Sequence, residues 1–225
     1  MNIKKSIKSL INRSYYLRKT LSSLHVCLIK MRNKDNKFII GKSSVKIQKE
    51  IRGSHNLVKI GNNCYVDKLR VLIHGDYNHI VIEDNCHIGP DCSLWIEGAH
   101  SNILIGGGTT MTTLCHINCQ ENNKTIEIGN DCMLSNNIII RTSDSHPVYD
   151  ITSGVRINPA KEVKIGEHVW IAPNTKIMKG AEIGNGCIIG SDTTVSKSTP
   201  ANTLVVGRPA RVVKENVRWT RERLF

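Results

Sequence analysis

From Arg141 to Asp150 the chain reads Arg-Thr-Ser-Asp-Ser-His-Pro-Val-Tyr-Asp, which sets one imidazole, His146, between the carboxylates of Asp144 and Asp150. Imidazole changes charge closest to neutral pH, so His146 is suited to act as a general base, and either acid is placed to orient its ring or to hold an acceptor. Two other sets of reactive side chains are read differently. His74, His79, His87, His100 and His116 are candidates for a zinc site, but their spacings do not assemble a convincing ligand set, and no metal is expected. The eight cysteines contain no Cys-x-x-Cys pair and no regular disulfide spacing, which points to reduced thiols.

The framework that must hold His146 announces itself as a repeat. From Ile165 an aliphatic residue recurs every six positions, through Ile171, Ile177, Ile183 and Ile189 to Val195. The same step appears in Ile60–Val66, Ile82–Ile88–Leu94, Ile105–Met111–Ile117 and Ile128–Leu134–Ile140. Neither a helix nor simple strand alternation has this period; a solenoid does, with short strands as flat faces, one large aliphatic residue at each corner and three hexads per triangular coil. Ile60, Ile82, Ile105 and Ile128 are spaced as one coil plus an excursion of four or five residues, such as Gly75-Asp76-Tyr77-Asn78 and Glu121-Asn122-Asn123-Lys124. Between Ile140 and Ile165 the interval is far larger, so the segment 141–162, with His146 in it, leaves the coil as a loop.

A second register runs four positions after each aliphatic residue. It holds Cys64, Cys86, Cys92, Thr109, Cys115, Cys132, Val169, Thr175, Ala181, Cys187 and Thr193, all compact. Six of the eight cysteines thereby acquire a packing role, since a reduced thiol behaves as a small hydrophobe, and Cys27 and Cys119 are left over.

The repeat of aliphatic, Gly, two variable residues and a small residue, as in Ile165-Gly166-Glu167-His168-Val169 and Ile183-Gly184-Asn185-Gly186-Cys187, resembles the hexapeptide-repeat acyltransferases over Phe38–Thr199. The stretch Arg141–Lys214 is similar to the maltose, galactoside and capsular polysaccharide O-acetyltransferase branch. The resemblance implies an all-β solenoid, a left-handed parallel β-helix over 38–199, a homotrimer, acetyl-CoA as donor and a carbohydrate acceptor. It also assigns roles. His146, in its His-Pro pair, is implied as the base that deprotonates a sugar hydroxyl. Trp170, in its Val-Trp-Ile context, is implied to lie beside that histidine, its indole N–H near the reacting carbonyl or its ring forming a pocket wall. Residues 200–225 form the coenzyme A tail, with Ala172 and Ser191 letting the pantetheine arm approach the backbone and Ser196, Lys197, Arg211 and Lys214 meeting phosphate. Thr112, His116 and Asn118 occupy the acceptor side. A sugar N-acetyltransferase and a metal enzyme resembling the β-helical carbonic anhydrases are the rival readings.

Charge is distributed unevenly. The chain carries +12, of which residues 1–37 hold +9 from ten Lys and Arg against Asp35. Ile3, Ile7, Leu10, Leu17, Leu21, Leu24 and Leu28 fall on one side of a helical wheel, so 1–37 is expected to be a basic amphipathic helix. Residues 1–34 would attach it to an anionic membrane or pack it on the trimer. No apolar run reaches the roughly eighteen residues needed to span a bilayer, and the basic start lacks a secretory apolar block. We therefore expect a cytoplasmic protein, peripheral at most on the inner face of the membrane. With aromatics at 4% and most of the charge in one segment, nucleic acid is not expected as a partner.

Overall fold

The computed structural model describes residues 35–224; the expected N-terminal helix lies outside them apart from its last three residues, of which Lys37 already begins a strand. The described chain is a left-handed parallel β-helix built on three faces. The first face stacks seven strands, Lys37–Ile40, Leu57–Ile60, His79–Ile82, Asn102–Ile105, Thr125–Ile128, Val163–Ile165 and Glu182–Ile183. The second runs through His87–Ile88, Thr110–Met111, Met133–Leu134, Trp170–Ile171 and Ile188–Ile189 to Leu204–Val206, closed by the antiparallel strand Arg211–Lys214. The third contains Ser93–Glu97, His116–Gln120, Ile139–Arg141, Lys176–Ile177 and Thr194–Val195. Tyr65–His74 turns a corner at Lys68 and serves both the second and third faces, so the two form one sheet.

The hexad aliphatics are buried, but they close each strand rather than turn the corner. Ile60, Ile82, Ile105 and Ile128 end first-face strands, and Ile88, Met111, Leu134 and Ile171 end second-face strands, all with side chains in the core. Only inward positions of a flat face can fill the axis of so narrow a coil, so the bulky residues belong there. The corner is made three residues later, in left-handed backbone. Asn63, Asn85, Asp91, Gly108, Asp131, Asn137, Asn174, Gly180, Gly186 and Asp192 all have positive φ, and these are the residue types that tolerate it. The compact register that follows is buried throughout. Cys119 joins it inside, so all seven described cysteines are packed in the core. Burial pushes the thiols of Cys86 and Cys119 up to about 12 and that of Cys132 up to about 11.

The four- and five-residue excursions remain in the stack. They lengthen the third-face strands and repeat coil on coil as an enlarged corner, held by a buried ladder: Asn78 N–H donates to Asn56 Oδ1 at 2.9 Å, Ser101 N–H to Asn78 Oδ1 at 2.9 Å, and Asn78 Nδ2 to the Gly98 carbonyl at 2.8 Å. Outside this ladder the rings of His55, Tyr77 and His100 stack at 4.6 and 5.0 Å. Gly75 sits at φ +138°, and a Cβ there would lie 1.9 Å from the Gly98 carbonyl oxygen, so no other residue fits.

Candidate active site

The lengthened third-face strands form the floor of a groove of about 600 Å³, and the loop after Arg141 forms its wall. Trp95, Asn118 and Arg141 stand in one outward column, paired in register across three coils, with Glu97 and Gln120 beside them. His146 lines the same groove and is exposed.

What fixes His146 is a set of hydrogen bonds between the loop and the enlarged corner. Thr142 Oγ1 donates to the Gln120 carbonyl at 2.9 Å and accepts from its N–H at 2.8 Å. Ser143 Oγ donates to Glu121 Oε1 at 2.8 Å. Ser145, whose φ of 70° is costly for a non-glycine residue, is held on both sides: its Oγ donates to Gln120 Oε1 at 2.8 Å and accepts from Arg141 Nη2 at 2.6 Å. From the returning arm, Arg156 grips Glu121 with two nitrogens, at 2.9 and 2.6 Å. The guanidinium, followed by the Ser143 hydroxyl, holds the Glu121 carboxyl down at about 2.

Asp144 is part of this fastening. Its carboxylate accepts from Lys179 Nζ and, at 2.9 Å, from Asn158 Nδ2, which also donates to the His146 carbonyl at 2.9 Å. These partners, Lys179 first, hold the carboxyl below its usual range. The role of orienting the His146 ring, open to Asp144 or Asp150 in the sequence, falls to neither in this geometry. Asp150 caps the turn of a hairpin, its Oδ1 accepting from the N–H of Thr152 at 3.1 Å and of Ser153 at 2.7 Å. That hairpin carries Val148, Tyr149, Ile151, Val155 and Ile157 exposed.

The other expected site residues divide. Asn118 lines the groove, whereas His116 bonds Ser93 Oγ at 2.8 Å and Thr112 lies at the corner between the second and third faces, donating to the Leu134 carbonyl at 3.3 Å. Ser196, Lys197 and Arg211 meet in a second cleft of about 280 Å³ at the end of the coil. Arg211 spends one nitrogen on the Ala210 carbonyl, and neither it nor Lys197 has a carboxylate partner among the described residues, which suits a phosphate-bearing donor. Ala172, Ser191 and Lys214 lie outside that cleft. Trp170 is on the second face between Met133 and Ile188, away from the His146 groove, with its Nε1 buried and unpartnered. The C-terminal segment folds back over it. The Trp219 ring is 6.2 Å from that of Trp170 and stacks on His168 at 4.1 Å, while Arg221 bonds Asp131 at 2.7 Å.

The five histidines considered for zinc are spread over all three faces and the enlarged corner. Among the described residues no three His, Cys, Asp or Glu side chains converge. Sequence spacing gave no sign of Gln120, Glu121, Arg156, Asn158 or Lys179. Glu121 read as a turn former, and its partner lies 35 residues away on the loop.

The model of the bacterial transferase hexapeptide, six repeats, matches residues 162–197. A polysialic acid O-acetyltransferase of Neisseria meningitidis is 37% identical over 183 residues, 78% of this chain and 80% of that protein. The chain belongs to the hexapeptide-repeat acetyltransferases. Among solved members of this acetyltransferase family, the polysialic acid O-acetyltransferase OatWY superposes with a TM-score of 0.74 at 31% identity over 84% of this chain and 91% of its own. The polysialic acid-specific acetyltransferase NeuO superposes with a TM-score of 0.68 at 32% identity over 84% and 81%.

Proposed function

We propose that this acetyltransferase moves the acetyl group of acetyl-CoA onto a hydroxyl of a bacterial capsular polysaccharide, with His146 as general base. The observation that carries the reading is an exposed imidazole, fastened through its backbone and not through its ring, at the edge of an open groove on a chain so similar to polysialic acid O-acetyltransferases. An open groove suits an internal unit of a long polymer. His146 takes the hydroxyl proton while the oxygen bonds to the acyl carbon and the carbon–sulfur bond breaks, and the protonated imidazole returns that proton to the departing sulfur, so coenzyme A leaves as its thiol. A thioester already carries a good leaving group, and all seven described cysteines are buried, so a direct transfer fits better than an acyl-cysteine. The donor is assigned to the cleft of Ser196, Lys197 and Arg211, whose cations suit its phosphates.

A homotrimer completes this reading. Trp170 and His146 lie on different parts of one chain, so the indole can serve the reaction only across a subunit boundary, and the exposed apolar hairpin Val148–Ile157 is assigned to that boundary. The basic segment 1–34 is proposed to hold the trimer against the inner face of the cytoplasmic membrane. The test is acetyl-CoA-dependent thiol release with polysialic acid, wild type beside His146→Ala, with the product checked for a base-labile ester. Loss of about two orders of magnitude or more supports the assignment. Unchanged activity removes His146 from it, and a base-stable product makes the enzyme an N-acetyltransferase.

A further inference from the structure

Arg141 closes the strand Ile139–Arg141 and projects into the His146 groove in register with Asn118. Its Nη2 donates to Ser145 Oγ at 2.6 Å, while its Nε is buried without an acceptor. No carboxylate pairs with it among the described residues. The three acids around it are engaged elsewhere: Glu121 by Arg156 and Ser143, Asp144 by Lys179 and Asn158, and Glu97 by Gln120 Nε2 at 3.0 Å. Two arginines near the groove are thus in opposite condition, Arg141 lining it and Arg156 bound to Glu121 in its lining. Arg156 is neutralised two-to-two by Glu121, whereas Arg141 keeps its charge and most of its donor fork.

A guanidinium in a groove with no carboxylate partner and a terminal nitrogen free calls for an anion that arrives with the substrate. A planar fork with several open donors matches a carboxylate better than a neutral hydroxyl, and a neutral sugar would leave the charge uncompensated. We propose that Arg141 binds a carboxylate of the acceptor and makes this enzyme selective for acidic over neutral sugar chains. The inference rests on the acceptor being a polysaccharide seated in the His146 groove. It adds a residue for recognising charge, one strand position from the start of the loop.

The test compares polysialic acid with the same polymer after reduction of its carboxylates to alcohols, using wild type, Arg141→Gln and Arg141→Lys. Wild type is expected to prefer the native polymer by at least about tenfold in kcat/KM. Arg141→Gln should lose at least about tenfold more on the native polymer than on the reduced one, mainly through KM, the loss common to both polymers being its hold on Ser145. Arg141→Lys, which keeps the charge without the fork, should fall between them on the native polymer. An equal loss on both polymers would mean that Arg141 acts only by holding Ser145 and the loop, and would overturn the proposal, as would no loss on either. Transfer by wild type at equal rates to both polymers overturns it while leaving the proposed function standing. Transfer to neither overturns the proposed function and this inference together.

Discussion

The pair Glu121–Arg156 fastens the His146 loop to the enlarged corner with two hydrogen bonds, and Glu121→Gln removes its charge while keeping its shape. The Glu121 carboxyl moves from 4.5 to about 2, a shift that converts at 1.36 kcal/mol per unit to a ceiling of about 3 kcal/mol. Both side chains are about one-third exposed, at 31% and 34%, and solvent screening reduces this to about 2 kcal/mol. That is roughly a thirtyfold shift between docked and undocked loop. Because His146 is fixed only through this loop, kcat should fall by about ten- to thirtyfold while acetyl-CoA binding at the separate cleft of Ser196, Lys197 and Arg211 is unchanged. The loss should not vary between about pH 5 and 8. A depressed carboxyl stabilises above its unfolded value of 4.5, and that stability is lost only as pH falls through the folded value of about 2. Arg156→Met should cost as much, and the double variant little more, because the two act as a unit. Steady-state kinetics on the three variants decide the matter. Penalties that add in the double variant, or single variants within twofold of wild type, would refute the claim that this pair seats the base.

Other consequences can be checked separately. Gly75→Ala should destabilise the fold by about 3 kcal/mol or more, since its Cβ would meet a backbone oxygen at 1.9 Å in a φ region closed to alanine; a thermal midpoint within about 2 °C of wild type would contradict it. The native protein should show at most one thiol reacting quickly with a disulfide reagent, Cys27, because the other seven are buried; any fast thiol after Cys27→Ser would mean that the core opens. Mixing His146→Ala with Trp170→Ala subunits, each inactive alone, should restore about one quarter of wild-type activity per site if each site takes its histidine and tryptophan from adjacent subunits in a randomly mixed trimer. No recovery after exchange would place both residues in one chain or remove Trp170 from the reaction.

The coil was legible because its rule is local. One inward position per hexad must be large and one small, and both registers are filled as the period predicts, from Ile60 and Cys64 to Ile189 and Thr193. The corner register, three residues after each aliphatic, was equally open to reading, since Asn63, Asn85, Asp131 and Asn174 stand there in plain sequence. Assigning the bulky residue to the corner hid it. Of the residues the sequence singled out, His146 and Asn118 share the groove and Ser196, Lys197 and Arg211 share the second cleft. The fastening was not legible, because Glu121 with Arg156 and Asp144 with Lys179 pair across 35 residues each, and in a solenoid such pairs depend on coil position and face. For the same reason the 24 residues between His146 and Trp170 said nothing about their separation.

Lys68 and Leu114 depart from the Asn, Asp or Gly rule at corners, but two other departures stand beside the candidate halves of the site. His168 takes a corner position otherwise filled mainly by Asn, Asp or Gly, and its ring is held by Asp131 at 2.6 Å and covered by Trp219, directly beside Trp170. Ser145 adopts positive φ one residue before His146 and is held by Gln120 and Arg141. Each left-handed non-glycine residue of this kind costs on the order of 1 kcal/mol, and each is offset by charged or stacked partners that the coil does not need for its own packing. Strain compensated by dedicated contacts at two separate places is not required to stack hexads. It is explained if both places must present a side chain in one orientation, His146 at the groove and Trp170 on the second face, and it makes the fastening residues the more sensitive mutational targets, ahead of the exposed imidazole's own neighbours.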